Sequence, residues 1–154
     1  MPAPVDTATE LEAAQRLRQT IARLYRRLRV TDASAEAALT PARASALLHV
    51  DRHGPLRLPD LAKAEGLNPT MLSRMVSDLV EAGLLERTSD PGDRRAAWVQ
   101  ATEAGSDLAR QMRSERTQSV LRALDRLPAS ERRSVIKALP ALERLSEQLG
   151  EERR

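Results

Sequence analysis

Two histidines, His49 and His53, stand four residues apart and would share one face of a helix. That spacing can hold a metal ion. The chain has no cysteine, and no third ligand accompanies the pair. The expectation is therefore no metal, with the histidines packed or lining a pocket. Nor do they form a catalytic set: no nucleophile, base and acid assemble around them, and no glycine-rich phosphate loop is present. An enzyme is not expected, and no cofactor. The arginines say more. Asp93, Arg94 and Arg95 follow Asp90-Pro91-Gly92, a turn signal. Two guanidiniums at a turn tip do little for folding. They suit phosphates or a narrow minor groove, and Asp93 would orient one of them through a charge-assisted bond.

A second set of donors precedes the turn. Leu72, Met75, Val76, Leu79 and Val80 recur at helical spacing and form one apolar stripe. Thr70, Met71, Ser73, Arg74, Ser77 and Asp78 take the other face, behind Asn68 and Pro69. Short hydroxyls and a guanidinium suit phosphates and base edges. Taken alone, that face also reads as a solvated helix. The elements that position it are set by punctuation. Pro59 suits the first turn of a short helix that Gly66 ends, with Leu61, Ala62 and Ala64 as its apolar face. Asn68 and Pro69 start the next helix, which runs to Ala82 before Gly83. Only Leu67 separates stop from start, so the two helices turn sharply, as in a helix-turn-helix. Leu84–Thr88 and Ala96–Gln100 read as strands around the basic turn. A helix-turn-helix followed at once by a basic-tipped hairpin is a winged helix.

The stretch LAKAEGLNPTMLSRMVSDLVEAGLLERTSDPGDRRAAWVQATEAG resembles the core of the multiple-antibiotic-resistance regulator (MarR) family. The likeness runs from Leu56 to Gly105, and its most specific piece is DPGDRR followed by a strand and T-E-A-G. The resemblance implies that the second helix, with Asn68, Pro69, Thr70, Met71, Ser73, Arg74 and Ser77, reads the major groove of double-stranded DNA. It implies that Arg94, braced by Asp93 beside Arg95, reaches the minor groove. It further implies a homodimer that responds to a small anionic or phenolic effector. Arg18, Tyr25, His49 and His53 are the candidates for the effector pocket. Without cysteine, the peroxide sensing known in some members is excluded. Met71, Trp98 and Ala101 depart from the family pattern.

The remaining sequence fits around this unit. With 154 residues, no Phe, one Tyr and one Trp, the core must be aliphatic. The net charge of +3 points only weakly to nucleic acid. Between Gly54 and Ala101 acids outnumber bases, so the distribution of charge must matter more than its sum. No apolar run crosses a membrane and no signal peptide is visible, so a cytoplasmic protein is expected. Leu11, Ala14, Leu17, Ile21, Leu24 and Leu28 make an amphipathic first helix to Arg29, with arginines on its other side. Residues 30–39 form a loop or short helix. Thr40-Pro41 starts a helix to Arg52, with Ala42, Ala46, Leu47 and Val50 facing the core. Leu56–Leu58 reads as a brief strand. Thr102 caps a helix to Leu127 whose middle, Arg113–Ser119, is polar all round, as in a strut between packed regions. A last helix, Ala129–Leu149, carries Pro140, which should kink it.

The expected fold is mainly α (α+β), a winged helix-turn-helix core with long N- and C-terminal dimerisation helices. It forms one domain, 1–154, with 41–101 as the DNA-binding unit and 7–30 and 103–150 as the dimerisation helices. The expected function is a ligand-responsive repressor on a palindromic operator. The alternative is a winged-helix module for protein–protein contact without sequence-specific DNA binding.

Overall fold

The computed structural model describes residues 7–89 and 97–151. Its elements are α1 (Thr7–Leu28), α2 (Asp32–Glu36), α3 (Pro41–His53), β1 (Leu56–Arg57), α4 (Leu58–Glu65), α5 (Pro69–Glu81), β2 (Leu85–Ser89), β3 (Ala97–Ala101), α6 (Glu103–Asp125) and α7 (Ala129–Glu151). The strands form an antiparallel sheet in the order β1-β3-β2. Val99 of β3 lies between Leu56 on one side and Arg87 on the other. This is the mainly α, winged helix-turn-helix fold expected.

Local chemistry explains the element ends. Thr31 and Ser34 form a reciprocal capping box that closes the first turn of α2, the segment that sequence left between loop and helix. The Thr40 hydroxyl accepts from Arg43 N, and Pro41 takes the first position of α3. Two expectations shift. In α3 it is Ala44, with Ala46, Leu47 and Val50, that is buried, while Ala42 is exposed. The first strand of the hairpin, β2, begins at Leu85 because Leu84 N is already engaged, closing α5 onto Leu79 O. The last helix continues across Pro140 to Glu151.

Two compact units divide the chain, Met1–Arg116 and Thr117–Arg154. Their boundary falls inside α6, within its polar middle. In the first unit, Leu47 and Val50 of α3, Leu61 of α4, Leu72, Val76 and Leu79 of α5, Leu85 of β2 and Val99 of β3 make one aliphatic core. Each such side chain contributes roughly 1.5–3 kcal/mol on leaving water. A satellite of Ala33, Ala44 and Met112 seats α2. In the second unit α6 closes through Leu127 N to Leu124 O, and Arg132 pairs with Asp125 at 2.8 Å across the turn to α7.

Candidate nucleic-acid interface

The surface of interest is built by α4, α5 and the β2–β3 pair. Gly66 has φ +64°, and Leu67 N reaches back to Ala62 O while Gly66 N reaches Lys63 O. This glycine-dependent stop turns the chain without a side-chain clash. The Asn68 side-chain oxygen Oδ1 then accepts from Thr70 N at 2.8 Å, and α5 starts at Pro69. At the far end Gly83, φ +70°, repeats the same stop through Val80 and Leu79. Thr102 ties this end to α6: its hydroxyl donates to Gly83 O at 2.7 Å, its N–H donates to Leu84 O, and its oxygen accepts from Gly105 N. A Cβ at Gly105 would stand 1.9 Å from Leu84 O, so only glycine permits this approach. The T-E-A-G tetrapeptide is thus a clasp between the end of α5 and the start of α6.

With Leu72, Val76 and Leu79 fully buried, the opposite side of α5 is presented outward. Asn68, Pro69, Thr70, Met71 and Arg74 are exposed, while Ser73 and Ser77 are half-buried. Ser77 Oγ donates to Ser73 O at 2.9 Å. Arg87, from β2, donates through Nη2 to both Ser73 O and Ser77 Oγ at 3.1 Å. Asp78 is ion-paired with Arg43 of α3, which neutralises an acid at the edge of this face. Under the sheet's edge Arg57 lies over the Trp98 ring at 5.1 Å, a cation–π contact between β1 and β3. Asp93, Arg94 and Arg95 lie outside the described residues.

The residues proposed for an effector are only partly brought together. The His49 and His53 rings are 4.9 Å apart, and His49 Nδ1 lies 3.3 Å from Glu65 Oε1. Among the described residues no group of three or more potential ligands could hold a metal. Tyr25 and Arg18 are exposed on α1, where Arg18 borders a surface groove lined by Gln19, Ala22, Arg23 and Arg26. Sequence reasoning passed over Arg116 of α6. It donates to Arg29 O at 3.2 Å, while its Nε is buried without a hydrogen-bond partner among the described residues. Burial pulls its guanidinium below the ordinary arginine range, and nearby Tyr25 opposes that pull. Next to it Glu115 accepts from Ala33 N, and Arg113 pairs with Asp51 at 2.7 Å. Burial alone would raise the Asp51 carboxyl, but hydrogen bonds from Ser106 and Arg113 and the charges of Arg113 and Arg110 outweigh it. The net shift is below the usual carboxylate value.

Comparison with known proteins points to one family. The MarR family model matches residues 39–97, from the residue before Thr40 into β3. Over that segment the chain is similar to the MarR family. The HTH-type transcriptional regulator YwhA of Bacillus subtilis is 30% identical over 91 residues, 59% of this chain and 66% of that protein, just under two thirds of its length. The crystal structure of RV1404 from Mycobacterium tuberculosis superposes with a TM-score of 0.76 at 26% identity, covering 93% of this chain and 96% of that one. A MarR family protein from Bacillus stearothermophilus has the same fold, with a TM-score of 0.78 at 19% identity over 95% of this chain and 99% of that one.

The matched family and the relatives named as HTH-type regulators are transcriptional regulators and not enzymes, which supports a DNA-binding regulator. The matched segment contains every residue that sequence reasoning placed at DNA, including those outside the described residues. No described helix is long and apolar enough to cross a membrane. The MarR-like sequence pattern did not single out Arg87. Its one signal was parity: along β2 it falls two residues after Leu85, on the strand face turned towards α5.

Proposed function

We propose that the protein is a ligand-responsive repressor that acts in the cytoplasm and binds a palindromic operator as a homodimer. The outer face of α5 would enter the major groove, and Arg94, braced by Asp93 beside Arg95, the adjoining minor groove. The observation that carries this reading is the division of α5: Leu72, Val76 and Leu79 are sealed in the core while Asn68, Thr70, Met71 and Arg74 face out. Arg74 is the candidate for bidentate contact with a guanine. Met71, 60% exposed, offers an apolar surface to a thymine methyl. Ser73 and Ser77 flank them.

The homodimer is supported by apolar positions that this chain leaves in water, on α1 (Leu11, Ile21, Leu24) and on α7. On this reading 41–101 is the DNA-binding unit of one domain, and 7–30 with 103–150 supply the pairing helices. A two-fold pair reads two half-sites about one helical turn apart, hence a palindrome. A small anionic or phenolic effector would act by binding one spacing of the two reading helices better than the other. Of the candidates Arg18, Tyr25, His49 and His53, Tyr25 has the strongest support, because the desolvated Arg116 guanidinium lies near it. Selection of bound fragments from the organism's own DNA, followed by ultracentrifugation on the selected duplex, tests the reading. The expected result is an inverted repeat carrying two chains. One chain per duplex, or an Arg94→Ala variant with unchanged affinity, would overturn it.

A further inference from the structure

We propose that Arg87 is an additional DNA contact, gripping a backbone phosphate in the seam between α5 and the β2–β3 hairpin, and that Ser73 and Ser77 are its seat. The inference rests on the reading above, in which α5 and the hairpin occupy adjoining grooves. A major and a minor groove that adjoin are separated by one sugar–phosphate strand. That strand must cross the protein between the element in the first groove and the element in the second. Arg87 occupies this line.

Its geometry is that of a prepared donor. Side chains alternate along β2, so Arg87 shares the face of Leu85, which is fully buried, and its cross-strand partner Val99 is buried too. Arg87 therefore points towards α5 yet lies beyond the core, where it is exposed. One terminal nitrogen, Nη2, holds Ser73 O and Ser77 Oγ. The guanidinium has more N–H donors than these two acceptors use, and the rest remain for an anion. Both acceptors are neutral, and among the described residues no carboxylate pairs with Arg87. Arg43 and Arg113, by contrast, are matched with Asp78 and Asp51. A guanidinium seated on neutral acceptors suits a phosphate, because its planar fork is held before the anion arrives. Ser77 is accounted for at the same time. Its hydroxyl donates to Ser73 O and accepts from Arg87, so it orients the arginine instead of reading a base.

The test is a salt titration of duplex binding by the full chain, using Arg87→Gln, Arg87→Lys and Ser77→Ala beside the wild type. For each copy bound, Arg87→Gln should lower the slope of log affinity against log salt by about one unit. It should weaken all sequences by a similar factor and leave the thermal midpoint near that of the wild type. Arg87→Lys should keep the slope and lose several-fold in affinity, because an ammonium cannot hold the two seats and a phosphate together. Ser77→Ala should behave in the same way, more mildly. A wild-type slope in Arg87→Gln, or a change in base preference at one position, overturns the phosphate contact. So does an affinity loss that merely tracks a lower thermal midpoint in both Arg87 variants. If the wild type itself fails to bind duplex, the reading of α5 and the hairpin falls first and this inference with it; a binding wild type with an unaltered variant sinks the inference alone.

Discussion

Helices α5 and α7 carry the same kind of apolar stripe and treat it in opposite ways. Leu72, Val76 and Leu79 of α5 are wholly buried by α3, α4 and the sheet. On α7, Ile136 is 49% exposed, Leu139 47% and Leu142 38%. The ends of α5 are equally self-contained, capped by Asn68 at one and closed by Gly83 at the other. Periodicity thus says that a face is meant to be covered, but not by what. Helix α5 finds its cover inside the chain, whereas α7 has a surface suited to cover from elsewhere.

That contrast can be broken outright or refined. The largest effect is expected from charging α7: Leu139→Glu with Leu142→Glu should reduce a sedimenting dimer to single chains and abolish tight duplex binding. A wild type that already sediments as one chain would remove the contrast. Next comes Leu72→Ala, which should cost about 2–5 kcal/mol in urea unfolding. The same truncation at Leu142, measured on dilute protein, should cost far less, and equal costs would show that the two stripes are not differently covered. Third, Asp51→Asn should cost about 1–3 kcal/mol at neutral pH, through the weakened bond to Arg113 and the lost charge. Because the folded carboxyl titrates below its ordinary value of 3.8, its contribution is complete above that value and is lost as pH falls through the lower folded value. The gap between wild type and variant should therefore close in acid. A gap that widens as pH falls would reverse the assigned sign. Smallest is Asn68→Ala, about 1 kcal/mol for one lost cap, read as a drop in the thermal midpoint. No change would mean that the start of α5 is held by packing alone.

The parts of the fold that sequence revealed are those written in neighbouring residues. Thr40-Pro41, Gly66, Asn68-Pro69, Gly83 and Thr102 each act on backbone within a few positions, and each acts as its residue type dictates. The hidden parts join residues distant in the chain. Arg43 meets Asp78, His49 meets Glu65, and Glu115 accepts from Ala33 N across 82 positions. No spacing rule pairs such residues. The polar middle of α6 is a case in point. It reads as solvent-facing on composition, yet Arg113, Glu115 and Arg116 hold Asp51, Ala33 and Arg29. For α5, periodicity identified the outward face correctly, but the role of Ser77 emerged only once Arg87 was seen against it.

The aliphatic core has an optical consequence. With no phenylalanine and a single tryptophan, the ultraviolet emission of this protein comes chiefly from Trp98, on β3, with a guanidinium over its ring. Any event that shifts Arg57 or changes the polarity around that indole will alter its intensity or wavelength. The chain thus carries an unlabelled fluorophore on the strand that leads out of the basic turn. Tyr25, the lone tyrosine, gives a separate signal from α1, where the buried face of Arg116 lies close by.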